Sequence, residues 1–503
     1  MKFRPKYQDE HGNWCDNNPR DPQPESIKQV VKILRDGSSR GALLTDEQGL
    51  GKTATAIVSA YTLGLRRVLV VSPKNTIAVW KAEIERWQAN PDIVIELTER
   101  HTIDPDTVNR GWLLCSYDTV GRYFPPGKRA TMRPFDLLIV DECQHLKEPK
   151  IKRTRMVYGG FDKKSQRQIL PIPSRKSLLL SGTPIKNRIE EIQTALAYVH
   201  PDIYSDRDAF VEQHHEPGYV VDNRGRVTGT TRNLDTLRTS LLSSILVRHR
   251  KDGLLLPKKF KCVYLNLEDL GELSLVPKFE ELDKQMMFTH AKMRRALREG
   301  DWRVYAQLKD QLSRQQARAR ELTGHAKYVP LLKYMLDRAK NTDKKTVLFL
   351  HHDDMITDMA NTLRRAGYGC VTLTGDTKDS RVPRQIFKHD DTRFFIGNLQ
   401  AAGVGITLVE SSHCVLGEIP WTPAEWMQAQ DRLHRFGQER EVTVMTFLLR
   451  EGFDGSMFDA VRSKTRTLRR ILDNDWEHEP PFVEKIWHTT DDGFELRPML
   501  RVV

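Results

Sequence analysis

Two short clusters in this sequence bring together residue types suited to phosphate chemistry. The first runs Asp46-Glu47-Gln48-Gly49-Leu50-Gly51-Lys52-Thr53. Glycines at 49 and 51 let backbone N–H groups close on phosphate oxygens. The Lys52 ammonium would neutralise charge at the β- and γ-phosphates, and the Thr53 hydroxyl would hold Mg2+. The match to G-x-x-x-x-G-K-[ST] is incomplete, because Asp46 stands where the first glycine would be. The second cluster is Asp141-Glu142, in which one carboxylate can hold a metal ion and the other can polarise water. A glycine turn beside a surface lysine and an ordinary acidic strand end are the plainer readings. They lose weight because phosphoryl transfer needs the loop and both carboxylate roles together.

The flanking elements must carry these groups to one edge. Ala42–Leu44 reads as a short buried strand ahead of the loop and Ala54–Leu63 as a helix after it, which makes a nucleotide-binding strand, loop and helix. Before them, Ile27, Val30, Val31 and Leu34 share one face of a helix over Ser26–Asp36. The apolar run Leu137–Val140 delivers Asp141 and Glu142 at a strand's C-terminal end, where α/β sheets place ligand chemistry. Further runs at Val68–Val71, Trp112–Cys115 and Leu178–Leu180 alternate with helical stretches, as in a parallel α/β sheet. After Asn187 the pattern becomes helical and charged until Leu256-Pro257. Between Lys284 and Lys327 it holds 11 Lys/Arg against 4 Asp/Glu, with Met293, Leu297, Tyr305, Leu308 and Leu312 at helical spacing. Strands then resume at Thr346–Leu350, Cys370–Leu373, Phe394–Ile396, Cys414–Leu416 and Val442–Phe447.

A chain of 503 residues exceeds one ordinary core. No 18-residue apolar stretch is present to cross a bilayer, and Met1–Trp14 lacks the apolar centre of a secretory signal. Six cysteines lie far apart without a C-x-x-C pair, which argues for free thiols rather than zinc or disulfides. The net charge of +12 favours phosphate polymers without identifying one.

Asp141-Glu142-Cys143-Gln144-His145 resembles the DExH box of superfamily-two helicases and translocases. Ser72-Pro73-Lys74 and Ser181-Gly182-Thr183-Pro184-Ile185-Lys186-Asn187 follow strands in the family's order. Gln428-Ala429-Gln430-Asp431-Arg432-Leu433-His434-Arg435-Phe436-Gly437-Gln438 resembles the Swi/Snf signature Q-A-x-D-R-x-H-R-x-G-Q at eight of eleven positions. The resemblance runs from about Gln23 to about Lys464. Ala401–Leu408 and Glu418–Pro423 look most like the HARP-type annealing-helicase branch and its phage or bacterial relatives.

The resemblance implies an α/β fold of two RecA-like parallel-sheet lobes with helical insertions. The expected divisions are an ATP-binding lobe at 1–190, a helical insertion and basic linker at 191–262, a second basic helical insertion at 263–325, a second lobe at 326–475 and a tail at 476–503. ATP and Mg2+ are the implied cofactors. Lys52, Asp141 and Glu142 would be catalytic, with Arg432 and Arg435 as arginine fingers. Thr53 and Asp141 would hold the metal, and Gln23, residues 46–53 and Gly405 the nucleotide; Gln29 competes with Gln23. His145, Ser181, Gly182, Thr183 and Gln428 would couple the lobes.

Ser72, Pro73, Lys74, Ser116, Tyr117, Arg248, Lys251, Thr374, Gly375, Gly403 and Thr407 would grip nucleic acid. Capping of the next helix is an equal reading for positions 72–74 and 116–117, and a solvated charged face is the alternative for 248–251. Trp302 and Tyr305 on the basic insertion would either stack at a DNA junction or pack as core. His351-His352-Asp353-Asp354 reads as structural or coupling rather than metal-binding.

The implied activity is a monomeric, DNA-dependent ATPase that translocates on duplex or branched DNA, without a membrane partner. It would be cytoplasmic and nucleoid-associated in a phage or bacterial setting and nuclear in a eukaryotic one. A strand-separating DNA or RNA helicase and a non-hydrolysing DNA-binding scaffold are the alternatives.

Overall fold

The structure, a computed structural model, describes residues 6–8, 14–16, 18–87, 94–99, 103–162, 164–221, 227–377, 381–389, 391–399, 406–473, 483–490 and 493–498. The chain forms two units, Met1–Leu254 with Thr467–Asp475, and Leu255–Arg466 with Trp476–Val503.

In the first unit, seven strands among the described residues pair in the order Leu246–Val247, Gly41–Leu44, Ser174–Leu180, Phe135–Asp141, Arg67–Ser72, Gly111–Ser116 and Val94–Leu97. Every pairing is parallel. The central strands are continuous buried runs because helices cover both faces. One face packs Val30 and Leu34 of the helix Gln23–Asp36 and Ile57 of the helix Lys52–Thr62 against Leu44, Val70 and Ile139; Trp80 of Ile77–Trp87 joins the same cluster. The register sets Leu180 beside both Leu44 and Asp141, and Ser72 beside Ser116. The loops after these strands therefore leave from one edge, which is where the sequence carries its phosphate and acidic motifs.

The stretch after Asn187 is not free of strands. Leu246 and Val247 lie parallel to Leu43 and Leu44 at the edge of the first sheet. Two residues are too few to show a period of two, so the strand is invisible as a pattern. The first unit runs on to Leu254, within the stretch expected as insertion and linker, and Lys259–Leu265 is a strand of the second sheet.

In the second unit, eight strands among the described residues pair in the order Gly369–Leu373, Thr392–Asn398, Thr346–Leu350, His413–Leu416, Thr443–Leu449, Lys259–Leu265, Val483–Thr490 and Gly493–Pro498. All pair in parallel except the last two. The expected C-terminal tail thus contributes two strands at an edge, where backbone pairing suffices without an apolar run. Helices Val276–Arg298 and Trp302–Ala326 form the expected basic insertion, packed through Leu282, Met286, Leu312 and Ala319.

Candidate active site

Lys52 opens its helix with the ammonium turned back into the loop, 2.8 Å from the Asp46 carbonyl and 3.4 Å from that of Glu47. Burial pulls its pKa down, while the carboxylates of Glu142 and Asp46 oppose the shift. Gly182 lies over the loop, and a Cβ there would stand 2.5 Å from Gln48 Cγ and 3.1 Å from Lys52 Nζ. Gly51 has φ +78, and a Cβ on it would meet Gln23 Nε2 at 2.1 Å. Gln23 is buried, donates from Nε2 to the carbonyls of Leu50 and Gly51 at 3.2 and 3.3 Å, and accepts from Arg20 N through Oε1. Gln29 instead donates to Glu25 on the exposed face of the first helix. The structure therefore sets Gln23, and not Gln29, against the loop.

The Asp46 side chain, expected at the nucleotide, is held by protein partners. It is fully buried; Oδ2 accepts from Ser26 Oγ at 2.6 Å and Oδ1 accepts from His249 N at 2.8 Å. This carboxylate clasps the first helix and the 249 segment to the loop, so only its carbonyl touches Lys52.

Asp141 ends the buried strand Phe135–Asp141. Its Oδ2 accepts from Trp80 Nε1 at 2.8 Å, its Oδ1 accepts from Glu142 N at 3.0 Å, and its carbonyl accepts from Tyr117 OH at 2.6 Å. Burial first, then the charge of Glu142, raises the Asp141 pKa to about 7. A buried carboxylate beside a second one, with the Thr53 hydroxyl at the start of the loop helix, is a donor set that fits a hard divalent cation. Glu142 adopts a left-handed backbone at φ 51, which costs about 1–2 kcal/mol for a residue with a Cβ and turns the chain away from the strand. Gln144 Nε2 donates to its carboxylate. Both amide atoms of Gln48, Oε1 of Gln144 and Oγ1 of Thr183 are buried without a protein partner. Unpaired buried groups cost about 1–3 kcal/mol each, and a bound polar ligand with its waters would satisfy them. Burial, then Lys186, lowers the pKa of His145 to about 4, so its ring is neutral at pH 7.

In the second unit, Gln428 lies on the helix Pro423–Gln430, capped by Thr422 Oγ1 accepting from Glu425 N. Arg432 is 3% exposed and donates from Nη1 to Ile406 O at 3.4 Å. Arg435 is half-buried, with Nε donating to Asp431 O at 2.8 Å and Nη1 to Thr407 Oγ1 at 3.1 Å. Thr374 forms a turn with Thr377, and space is open around Gly375. Gly403 and Gly405 lie outside the described residues.

Several residues expected on a nucleic-acid track face inward instead. Ser72 is fully buried, and Ser116 exchanges hydroxyl contacts with Thr119. Tyr117 is buried, and its hydroxyl supports the Asp141 carbonyl. Lys251 is 5% exposed, and its N–H donates to Glu47 Oε2 at 2.9 Å. Arg248 is buried in an ion pair with Asp473. Of the expected track residues that are described, Lys74 and Gly375 are exposed, and Pro73, Thr374 and Thr407 are half-buried. On the basic insertion, Trp302 stands edge-on to Tyr305, and Met287 and Phe288 are the more exposed apolar residues at 72% and 62%. His352 pairs with Glu418, which fits the structural reading of the histidine pair. Among the described residues no group of His, Cys, Asp and Glu could hold a metal by itself, and no helix is long and apolar enough to cross a membrane. The roles of Trp80, Arg248, Glu418 and Asp473 carried no sequence signal, since each depends on a partner distant in the chain.

Residues 10–299 match the SNF2-related domain family, and residues 326–437 match the helicase conserved C-terminal domain. The chain is 26% identical over 436 residues to the SWI/SNF-related matrix-associated actin-dependent regulator of chromatin subfamily A-like protein 1 of Bos taurus, covering 85% of this chain and 42% of that protein. It is 26% identical over 493 residues to the DNA annealing helicase and endonuclease ZRANB3 of Mus musculus, covering 92% and 41%. It therefore spans less than half the length of either relative. A solved Sulfolobus solfataricus SWI2/SNF2 ATPase core in complex with dsDNA is similar at 18% identity, covering 91% of this chain and 97% of that one, but its TM-score of 0.40 gives it no weight.

Proposed function

This chain belongs to the SNF2-related family, and on that footing we propose that it is a DNA-dependent ATPase that translocates on duplex or branched DNA, remodelling it or displacing bound protein. The observation that carries this reading is the shared sheet edge that holds Lys52, Asp141 and Glu142 beside the unpaired polar atoms of Gln48, Gln144 and Thr183. The N–H groups of the loop and Lys52 take the β- and γ-phosphates, and Gln23 braces the loop. When bound, Mg2+ held by Thr53 and Asp141 supplies charge that stabilises the transferring phosphoryl group. Glu142 orients the attacking water. Arg432 and Arg435 of the second unit neutralise charge that develops on the γ-phosphate, as guanidinium groups do in this chemistry. Lys74, with Thr374, Gly375, Gly403 and Thr407, grips the phosphate backbone, which positions the motor without reading sequence. Annealing, which the name of one relative carries, and fork remodelling are the tasks to test first, in the nucleoid or the nucleus according to the host.

The test is ATP turnover with single-stranded DNA, blunt duplex, forked DNA and RNA at one stated salt concentration. Duplex and forked DNA are expected to stimulate turnover by about tenfold or more, with the effect falling as salt rises. Triplex displacement on blunt duplex is expected without unwinding of a partial duplex. Folded protein that no nucleic acid stimulates would overturn the reading, and efficient unwinding would replace it with strand separation.

A further inference from the structure

Arg248 follows the edge strand Leu246–Val247 and carries a buried guanidinium with every nitrogen engaged. Its Nε and Nη2 fork onto the two carboxylate oxygens of Asp473 at 2.8 and 3.1 Å. Its Nη1 donates to the Thr45 carbonyl and reaches that of Gly182 at 3.4 Å, and Nη2 lies 3.6 Å from Glu47 Oε1. Thr45 precedes the phosphate loop, Glu47 belongs to it, and Gly182 lies over Lys52. One cation therefore ties the mouth of the loop to the chain above it. Asp473 is the last residue of the helix Asp454–Asp473 and lies beyond the residues matched to either domain family. Its side chain is 6% exposed, so the fork is shielded from solvent.

We propose that Arg248 and Asp473 are positioning residues of the ATP site, and that nucleotide binding by the first unit depends on this carboxylate from the far end of the chain. The inference rests on the ATP-site reading above. The physical argument has two parts. A planar guanidinium can hold two carbonyls and a carboxylate fork at once, which fixes the spacing between the loop and Gly182. Arg248 also presses on the Lys52 ammonium, and Asp473 compensates that charge. Without Asp473 the buried cation beside the phosphate lysine would lose its carboxylate fork and its nearest counter-charge, keeping only the longer contact to Glu47, and would be free to turn from the carbonyls it holds.

The experiment uses the full chain and measures the Kd of a fluorescent ATP analogue without DNA, KM and kcat for ATP with duplex DNA, and the thermal midpoint. Asp473→Asn is expected to weaken analogue binding and raise KM by about tenfold, the scale of one lost charge-assisted hydrogen bond, with kcat within about twofold. Asp473→Glu, which keeps the charge, is expected to recover part of that loss. Wild-type affinity in folded Asp473→Asn overturns the proposal, whereas failure of the wild type itself to bind the analogue overturns the ATP-site reading. Should Asp473→Asn not fold, Arg248→Met with Asp473→Leu removes both charges without stranding either one. That pair is expected to fold and bind about tenfold more weakly, and wild-type affinity in it overturns the proposal.

Discussion

Asp46 and Lys52 share one loop and a hydrogen bond, yet their side chains do opposite work. The Asp46 carboxylate serves Ser26 and His249, while the Lys52 ammonium is held only by loop carbonyls. Asp46→Ala strands the His249 N–H and removes the shortest bond of the Ser26 hydroxyl, which keeps its contacts to Pro22 O and His249 Nδ1, so a loss of about 1–3 kcal/mol in stability is expected, read as a lower denaturant midpoint. Lys52→Ala is expected to leave that midpoint nearly unchanged and to lower DNA-stimulated turnover by about 100-fold or more. A folded Asp46→Ala protein with an unchanged midpoint would return Asp46 to the nucleotide. The difference explains what could be read in advance. Lys52, Thr53 and the glycines act within a few consecutive residues, so the spacing itself carries their chemistry. Asp46 works with a partner 203 residues away, and linear order holds no trace of that pairing.

Glu418 shows how an element can be set by one buried charge. It follows the strand His413–Leu416, accepts from the N–H groups of His351 and His352 at 2.6 and 3.1 Å, and accepts from or pairs with His352 Nδ1 at 2.6 Å. The helix Trp302–Ala326 is fitted to the same spot. A Cβ at Gly324 would stand 2.8 Å from Glu418 Oε1, and Arg320 Nη2 donates to Ile419 O at 2.7 Å. Burial works against the Glu418 charge, but the His352 bond, with help from the His351 N–H and Lys327, lowers its pKa from 4.5 to about 2. His352 is raised from 6.5 by Glu418, against burial and Arg320, with Asp354 assisting.

For Glu418 the stabilisation is present above pH 4.5 and is lost as pH falls towards about 2. For His352 it is full below pH 6.5 and is lost as pH rises through the raised value. The pair therefore contributes most between these limits, with the Glu418 shift worth on the order of 3 kcal/mol. Thermal midpoints across pH should slope on both sides in the wild type and flatten in Glu418→Gln; matching profiles would remove the pair from the stability of the second unit. At this scale the sequence was most readable where burial on both faces writes a continuous apolar run, as in Val68–Val71 and Thr346–Leu350. It was least readable at Leu246–Val247, which is too short for a period, and at Lys259–Leu265, where lysines interrupt the apolar positions of a strand adjoining a basic linker.

For the whole molecule under the proposed activity, the decisive question is whether hydrolysis needs both units. The first unit carries Lys52, Asp141 and Glu142, which are proposed to bind nucleotide, hold a cation and orient water. The second carries Arg435, whose Nε and Nη1 engage Asp431 O and Thr407 Oγ1. Those contacts tie its guanidinium to the segment proposed to grip the DNA backbone, so a change in that grip would be felt by the arginine. If Arg435 acts only on charge that develops during transfer, its loss should spare binding and remove rate, because such interactions are absent from the ground state. Arg435→Ala is accordingly expected to bind an ATP analogue with wild-type affinity while DNA-stimulated turnover falls by about 10³-fold, the scale of a missing arginine finger. Arg435→Lys is expected to recover little, since an ammonium cannot reproduce the planar fork. Turnover and analogue Kd measured side by side check both points, and wild-type turnover in Arg435→Ala would mean that the first unit hydrolyses ATP without this arginine.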